Sequence, residues 1–174
     1  MAQSKAFLPQ KGNYKDLIVY QKAECIYDIT YYFAHHFLSS GDRTIDQMVQ
    51  AARSGKQNIA EGVSAATTST EMEIKRINVA KASLQELLVD YEDFLRVRDL
   101  EQWGEGDERH IRARKLCSEH SNSVYYRDIL PTRSAETIAN IAVILIKQND
   151  YLLLRLLKRK KNDYLQDGGM RERM

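Results

Sequence analysis

Residues 47–62, QMVQAARSGKQNIAEG, constrain the fold of this chain more than any other stretch. Met48, Ala52, Gly55 and Ile59 recur at steps of 4, 3 and 4, the spacing that keeps side chains on one face of a helix. Ala51, Ala60 and Gly62 add further small groups. A glycine inside a helix costs about 1 kcal/mol relative to alanine, so Gly55 demands a compensating contact. Close approach by a neighbouring helix backbone, or by a ligand, supplies one. A helix over 44–61 is therefore expected at the buried centre of a packed helical assembly, with Gly62 as its left-handed C-terminal cap.

The rest of the chain reads as helix around that centre. Over 174 residues, a hydrophobic content of 43% and a charged content of 29% suit one soluble domain that needs no metal or disulfide staple. Eight glycines and two prolines are too few for an all-β fold built on tight turns. The pattern predicts a flexible leader over 1–13, a first helix over 14–38 and a third over 70–98. The third opens with Thr70 and Glu73 at capping-box spacing. Its seam is Ile74, Ile77, Lys81, Leu84, Leu88, Tyr91 and Leu95, with Lys81 alone out of character. A last helix starts near Ser134 and fades into residues 158–161, leaving a loose tail over 165–174. Residues 99–133 interrupt the pattern with a short charged helix over 107–120, read as an excursion packed on the bundle. The expected fold is all-α: an antiparallel up-down four-helix bundle spanning 14–164, with that excursion between helices three and four.

Catalytic signatures are missing from the sequence. It has no phosphate-cradling glycine loop, no nucleophile elbow and no metalloprotease helix motif. Cys25 and Cys117 read as reduced thiols in a reducing cytoplasm. His110, Cys117 and His120 match no established zinc spacing, and there is no Glu-x-x-His pair. No catalytic residue, metal or cofactor is expected. The longest apolar run, Ile141 to Ile146, falls far short of the ~20 residues needed to span a bilayer. The opening residues show no secretory-signal pattern, so a cytoplasmic protein is expected.

Basic clusters are the functional lead. Arg155, Lys158, Arg159, Lys160 and Lys161 end the last helix, while Arg53, Lys56, Lys75 and Arg76 extend the set on helices two and three. Positive charge at a helix C-terminus complements the macrodipole, which is a sufficient structural reason for the first group. The functional reading is a patch that neutralises phosphates of RNA or DNA without reading bases. A net charge of +2 forces neither.

Three segments carry a family resemblance. They are Tyr14 to Ala23 (YKDLIVYQKA), Gln47 to Ala52 with Asn58-Ile59-Ala60-Glu61-Gly62, and Val79 to Leu87 (VAKASLQEL). Together they resemble the S23-like four-helix-bundle proteins first noted in intervening sequences of 23S ribosomal RNA genes. The longer excursion and the Gly-Gly-x-Arg-Glu-Arg tail resemble the "four helix bundle suffix" subgroup. A relative is the accessory variability protein of diversity-generating retroelements, a homopentamer that binds nucleic acid and its reverse transcriptase. The resemblance implies a non-enzymatic homo-oligomer, with a pentamer as the precedent, acting as an adaptor for nucleic acid or a nucleic-acid enzyme. A protein–protein scaffold is the alternative.

Overall fold

The computed structural model describes residues 14–64 and 69–173; the expected leader over 1–13 and most of the loop after helix two lie outside them. Six helices follow in order: α1 (Tyr14–Phe37), α2 (Arg43–Val63), α3 (Thr70–Val97), α4 (Glu108–Glu119), α5 (Ser123–Ile129) and α6 (Ala135–Arg173). A 3-10 turn over Leu130–Thr132 precedes α6. No strand occurs among the described residues. The excursion thus holds two helices where the sequence suggested one. The second begins at Asn122, whose side chain accepts from the Val124 N–H and caps α5.

The four long helices pack as a ring, α1 on α2 and α6, and α3 on α2 and α6. Helices α2 and α3 run antiparallel: Gly55 meets Leu84, and Gly62, further along α2, meets Ile77, earlier on α3. The seam is tight. A Cβ at Gly55 would lie 2.7 Å from Leu84 Cδ2, and one at Gly62 would lie 2.8 Å from Ile77 Cγ1 and 3.3 Å from the Glu73 carbonyl oxygen. Next to the Gly55–Leu84 contact, Ser54 and Ser83 share a 2.8 Å hydroxyl hydrogen bond. Gly55 is therefore a helix crossing, as its position in the stripe implied. Gly62 is a second crossing and not a cap: it is helical and buried, and α2 ends on Ser64 in extended conformation.

Helix α3 is capped one residue earlier than its capping box suggested. The Ser69 hydroxyl accepts from the Met72 N–H, and Glu73 turns away to Lys160 at 2.7 Å. Lys81, the odd member of the seam, pairs with Asp150 of α6 at 3.0 Å. At its other end α3 stops in a Schellman motif, with Leu100 N–H donating to Leu95 C=O and Asp99 N–H to Arg96 C=O. Asp99 takes the left-handed position at φ 55°. Phe33 of α1 fills the core beside Tyr91 and Phe94, ring centroids 5.0 and 4.7 Å away, and Thr30 shares a buried 2.8 Å hydrogen bond with the Tyr91 hydroxyl.

Helix α6 is buried on nearly all sides over its first third. Residues 138–146 are all buried because α1 and α3 cover one side and α4 lies over the other. The run Ile141–Ile146 is thus core, and no helix among the described residues is long and apolar enough to cross a membrane. Asn140, only 2% exposed, fastens the α3–α4 connection to α6. Its Oδ1 accepts from the Trp103 N–H at 2.8 Å, and its Nδ2 donates to the carbonyls of Glu101 and Glu136. Helix α6 does not fade at 158–161. It continues to Arg173, through the segment expected to be a loose tail, and its 39 residues span roughly 58 Å at 1.5 Å per residue.

Candidate nucleic-acid interface

The nine basic residues singled out from the sequence separate into two groups. Lys75 and Arg76 in the first two turns of α3 meet the 158–161 stretch of α6 at the end of the molecule where α2 finishes. The Lys160–Glu73 contact draws these elements together. Two of the nine are held by carboxylates there: Lys160 by Glu73 at 2.7 Å, and Arg76 by Glu61 at 3.1 Å. Lys75, Lys158 and Lys161 stand exposed, and Arg159 is half-buried. Arg155, one turn before Lys158, has its guanidinium 5.9 Å from the Tyr151 ring centroid.

Arg53 and Lys56 belong elsewhere, on the outer side of α2 facing α1. Lys56 Nζ lies 4.7 Å above the Tyr27 ring. Arg53 sits one turn earlier on α2, exposed, in the direction in which α1 carries Tyr31. Beyond them α1 presents a ladder of aromatic pairs, Tyr31 on His35 at 4.3 Å and Tyr32 on His36 at 3.8 Å. Each histidine Nδ1 is within 2.8 Å of the carbonyl oxygen four residues back. This ladder, Arg127 and Pro131 border a mostly apolar groove of about 470 Å³. Cation and aromatic face side by side are the combination that holds single-stranded nucleic acid through phosphate and base together. Periodicity on α1 gave no sign of this groove, because α5 forms its far wall.

The interior holds one polar cluster that the sequence did not announce. Lys22, 4% exposed, donates to the Cys117 carbonyl at 2.7 Å and so ties α1 to α4. Burial lowers its pKa. Both thiols are fully buried, and desolvation pushes Cys25 and Cys117 up to about 12. The Tyr126 hydroxyl donates to the His120 carbonyl at 2.7 Å, tying α5 to the end of α4, and Ser123 donates to Asp28, which seats α5 against α1. Thiols held this firmly as neutral groups are poor nucleophiles and poor metal ligands. Among the described residues no group of three His, Cys, Asp or Glu side chains is placed to hold a metal ion.

Comparison with known proteins returned no matching family model, no matching curated protein and no matching solved structure.

Proposed function

We propose that this chain is a non-enzymatic four-helix-bundle adaptor of the S23-like kind, which self-associates and binds RNA or DNA through the basic end of α6. The observation that carries the reading is the seven-residue stretch 155–161. It holds five cations and no acid, and it meets Lys75 and Arg76 at one end of the molecule. Pairing of Lys160 with Glu73 and of Arg76 with Glu61 reduces the charge but leaves Lys75, Lys158 and Lys161 open to solvent. Repetition of the patch around a homo-oligomer, a pentamer on the family precedent, would sum these modest fields. Self-association is supported by the apolar side chains that α6 leaves exposed, Tyr151, Leu154, Tyr164 and Leu165.

The test is binding of structured RNA and of duplex DNA across a salt titration, with solution mass followed by light scattering. The reading expects affinity that falls steeply with salt. Lys158→Ala and Lys161→Ala should each lower the slope of log K against log salt by about 1. Absence of binding even near about 50 mM salt would remove nucleic acid from the proposal. A protein-docking scaffold is the second reading, favoured by the aromatic groove between α1 and the Leu130–Pro131 turn. One stoichiometric protein partner that survives nuclease treatment would select it.

A further inference from the structure

Helix α3 packs on α2 and α6 and leaves its outer side to solvent. That side carries a regular stripe. Met72, Lys75, Val79, Ala82, Glu86 and Val89 follow at alternating steps of 3 and 4, the repeat by which one helix packs along another. Its apolar members stay in water: Met72 is 40% exposed, Val79 41% and Val89 51%, and Ala82 is exposed beside them. Scattered apolar side chains on a surface are ordinary, but a set aligned in one helical seam over about 26 Å is the pattern of an unmet helix contact. The charged members are unmet as well. Neither Lys75 nor Glu86 pairs with an opposite charge among the described residues. Exposed Asn78 and Gln85 flank the stripe without adding charge.

The order of residue types along the stripe says what covers it. Lys75 and Glu86 stand at equal distances on either side of the point midway between Ala80 and Lys81. We propose that the outer face of α3 is a two-fold contact with a second copy of this chain, the two α3 helices lying antiparallel. About an axis at that midpoint, Lys75 faces the partner's Glu86, Val79 faces the partner's Ala82, and Met72 faces the partner's Val89. The symmetry makes each of these meetings twice. Every layer then sets apolar on apolar or positive on negative. Other arrangements do not. Parallel copies in register set Lys75 on Lys75 and Glu86 on Glu86. A slip of one heptad sets Ala82 against Glu86 and Met72 against Arg96, or, in the other direction, Lys75 against Val79. The central Val79–Ala82 layers are small, so the two helices can approach closely. One helix pair lies at the low end of specific interface sizes, which makes this a reversible dimer. It uses a different face from the exposed α6 side chains, and it stands whether or not the basic end of α6 binds nucleic acid.

The test is sedimentation equilibrium of the full-length protein, free of nucleic acid, over about 1–500 μM. The mass should rise from one chain towards two, with a dissociation constant of about 10–100 μM. Lys75→Glu and Glu86→Lys should each weaken the dimer by at least about tenfold, because each sets like charges face to face twice. Mixed one to one, these two variants should pair with each other at wild-type strength, since every charge then meets its opposite again. A role within a single chain gives no such rescue. Val79→Glu should abolish association over the whole range. All three changes fall at exposed helix positions, so the melting temperature in dilute solution should not move. A protein that stays monomeric at about 500 μM overturns the proposal. So does an oligomer that ignores Val79→Glu, or a mixture of the two charge variants that remains as weak as either alone. Association lost in Tyr151→Ser or Leu154→Ser but kept in Val79→Glu places the contact on α6 and equally overturns it. Loss of nucleic-acid binding in Lys158→Ala and Lys161→Ala is read separately and leaves these masses unchanged.

Discussion

Replacing Gly55 by alanine should destabilise this protein, although the same change in an ordinary helix interior stabilises by about 1 kcal/mol. The added Cβ would stand 2.7 Å from Leu84 Cδ2 and 2.9 Å from Leu84 Cγ. Ordinary carbon–carbon contact is about 3.5–4.0 Å, so the overlap approaches 1 Å. Rotating the end of the leucine does not relieve it, because Cγ is a branch point and Leu84 is completely buried. Forcing an extra methyl into such a core costs about 1–3 kcal/mol, here at the upper end because two atoms clash. After the helix-propensity gain, a net loss of about 1–2 kcal/mol remains, or a fall in melting temperature of roughly 2–8 °C for a chain of this size. The partner variant makes the argument decisive. Leu84→Ala alone should cost about 2–5 kcal/mol, but in that background the Gly55 methyl has room, and Gly55→Ala should become stabilising by about 1 kcal/mol. Urea unfolding of the four proteins, followed by far-ultraviolet circular dichroism, yields the coupling energy, expected at about 2–3 kcal/mol. A Gly55→Ala protein as stable as wild type, or effects that simply add, would refute the idea that α2 gave up side chains for α3.

Three further outcomes follow from particular contacts. Asn140→Leu leaves the buried Trp103 N–H and the Glu101 carbonyl without their partner, and a loss of roughly 2–4 kcal/mol is expected in denaturant unfolding, with increased hydrogen exchange at Trp103. Asp99→Gly should stabilise by about 0.5 kcal/mol, since glycine adopts the φ of 55° without the side-chain penalty; thermal melts showing a loss would count against the Schellman assignment. Alkali should weaken the fold through its thiols. Cys25 and Cys117 are pushed from 9.0 to about 12, so above pH 9 the unfolded chain releases protons that the folded chain keeps. Their stabilisation is complete below that pH and lost between about 9 and 12, by about 2–3 kcal/mol for the pair at pH 10. The lowered pKa of Lys22 acts in the opposite sense, adding stability as pH rises towards 10.5. Unfolding free energies at pH 8 and 10 should diverge for wild type and much less for the Cys25→Ala, Cys117→Ala double variant.

What the sequence determined by itself was the helices and the reason for the most unusual of them. Period-3.6 patterning placed the long helices, and the small stripe of α2 marked its crossing with α3, because both are local records of which face is buried. Boundaries set by single hydrogen bonds were less legible: Ser69 rather than Thr70 caps α3, and Gly62 packs where it was expected to turn the chain. Both depend on a partner far away in sequence. Glu73 has Lys160 available, 87 residues on, and Gly62 has Ile77 pressed against it. Helix α5 escaped notice because seven residues are too few to show a period. The candidate sites depended on the tertiary structure most of all. Charge in the sequence named nine basic residues, but only packing showed that Glu73 and Glu61 hold two of them, that Lys56 lies over Tyr27, and that 155–161 meets the start of α3.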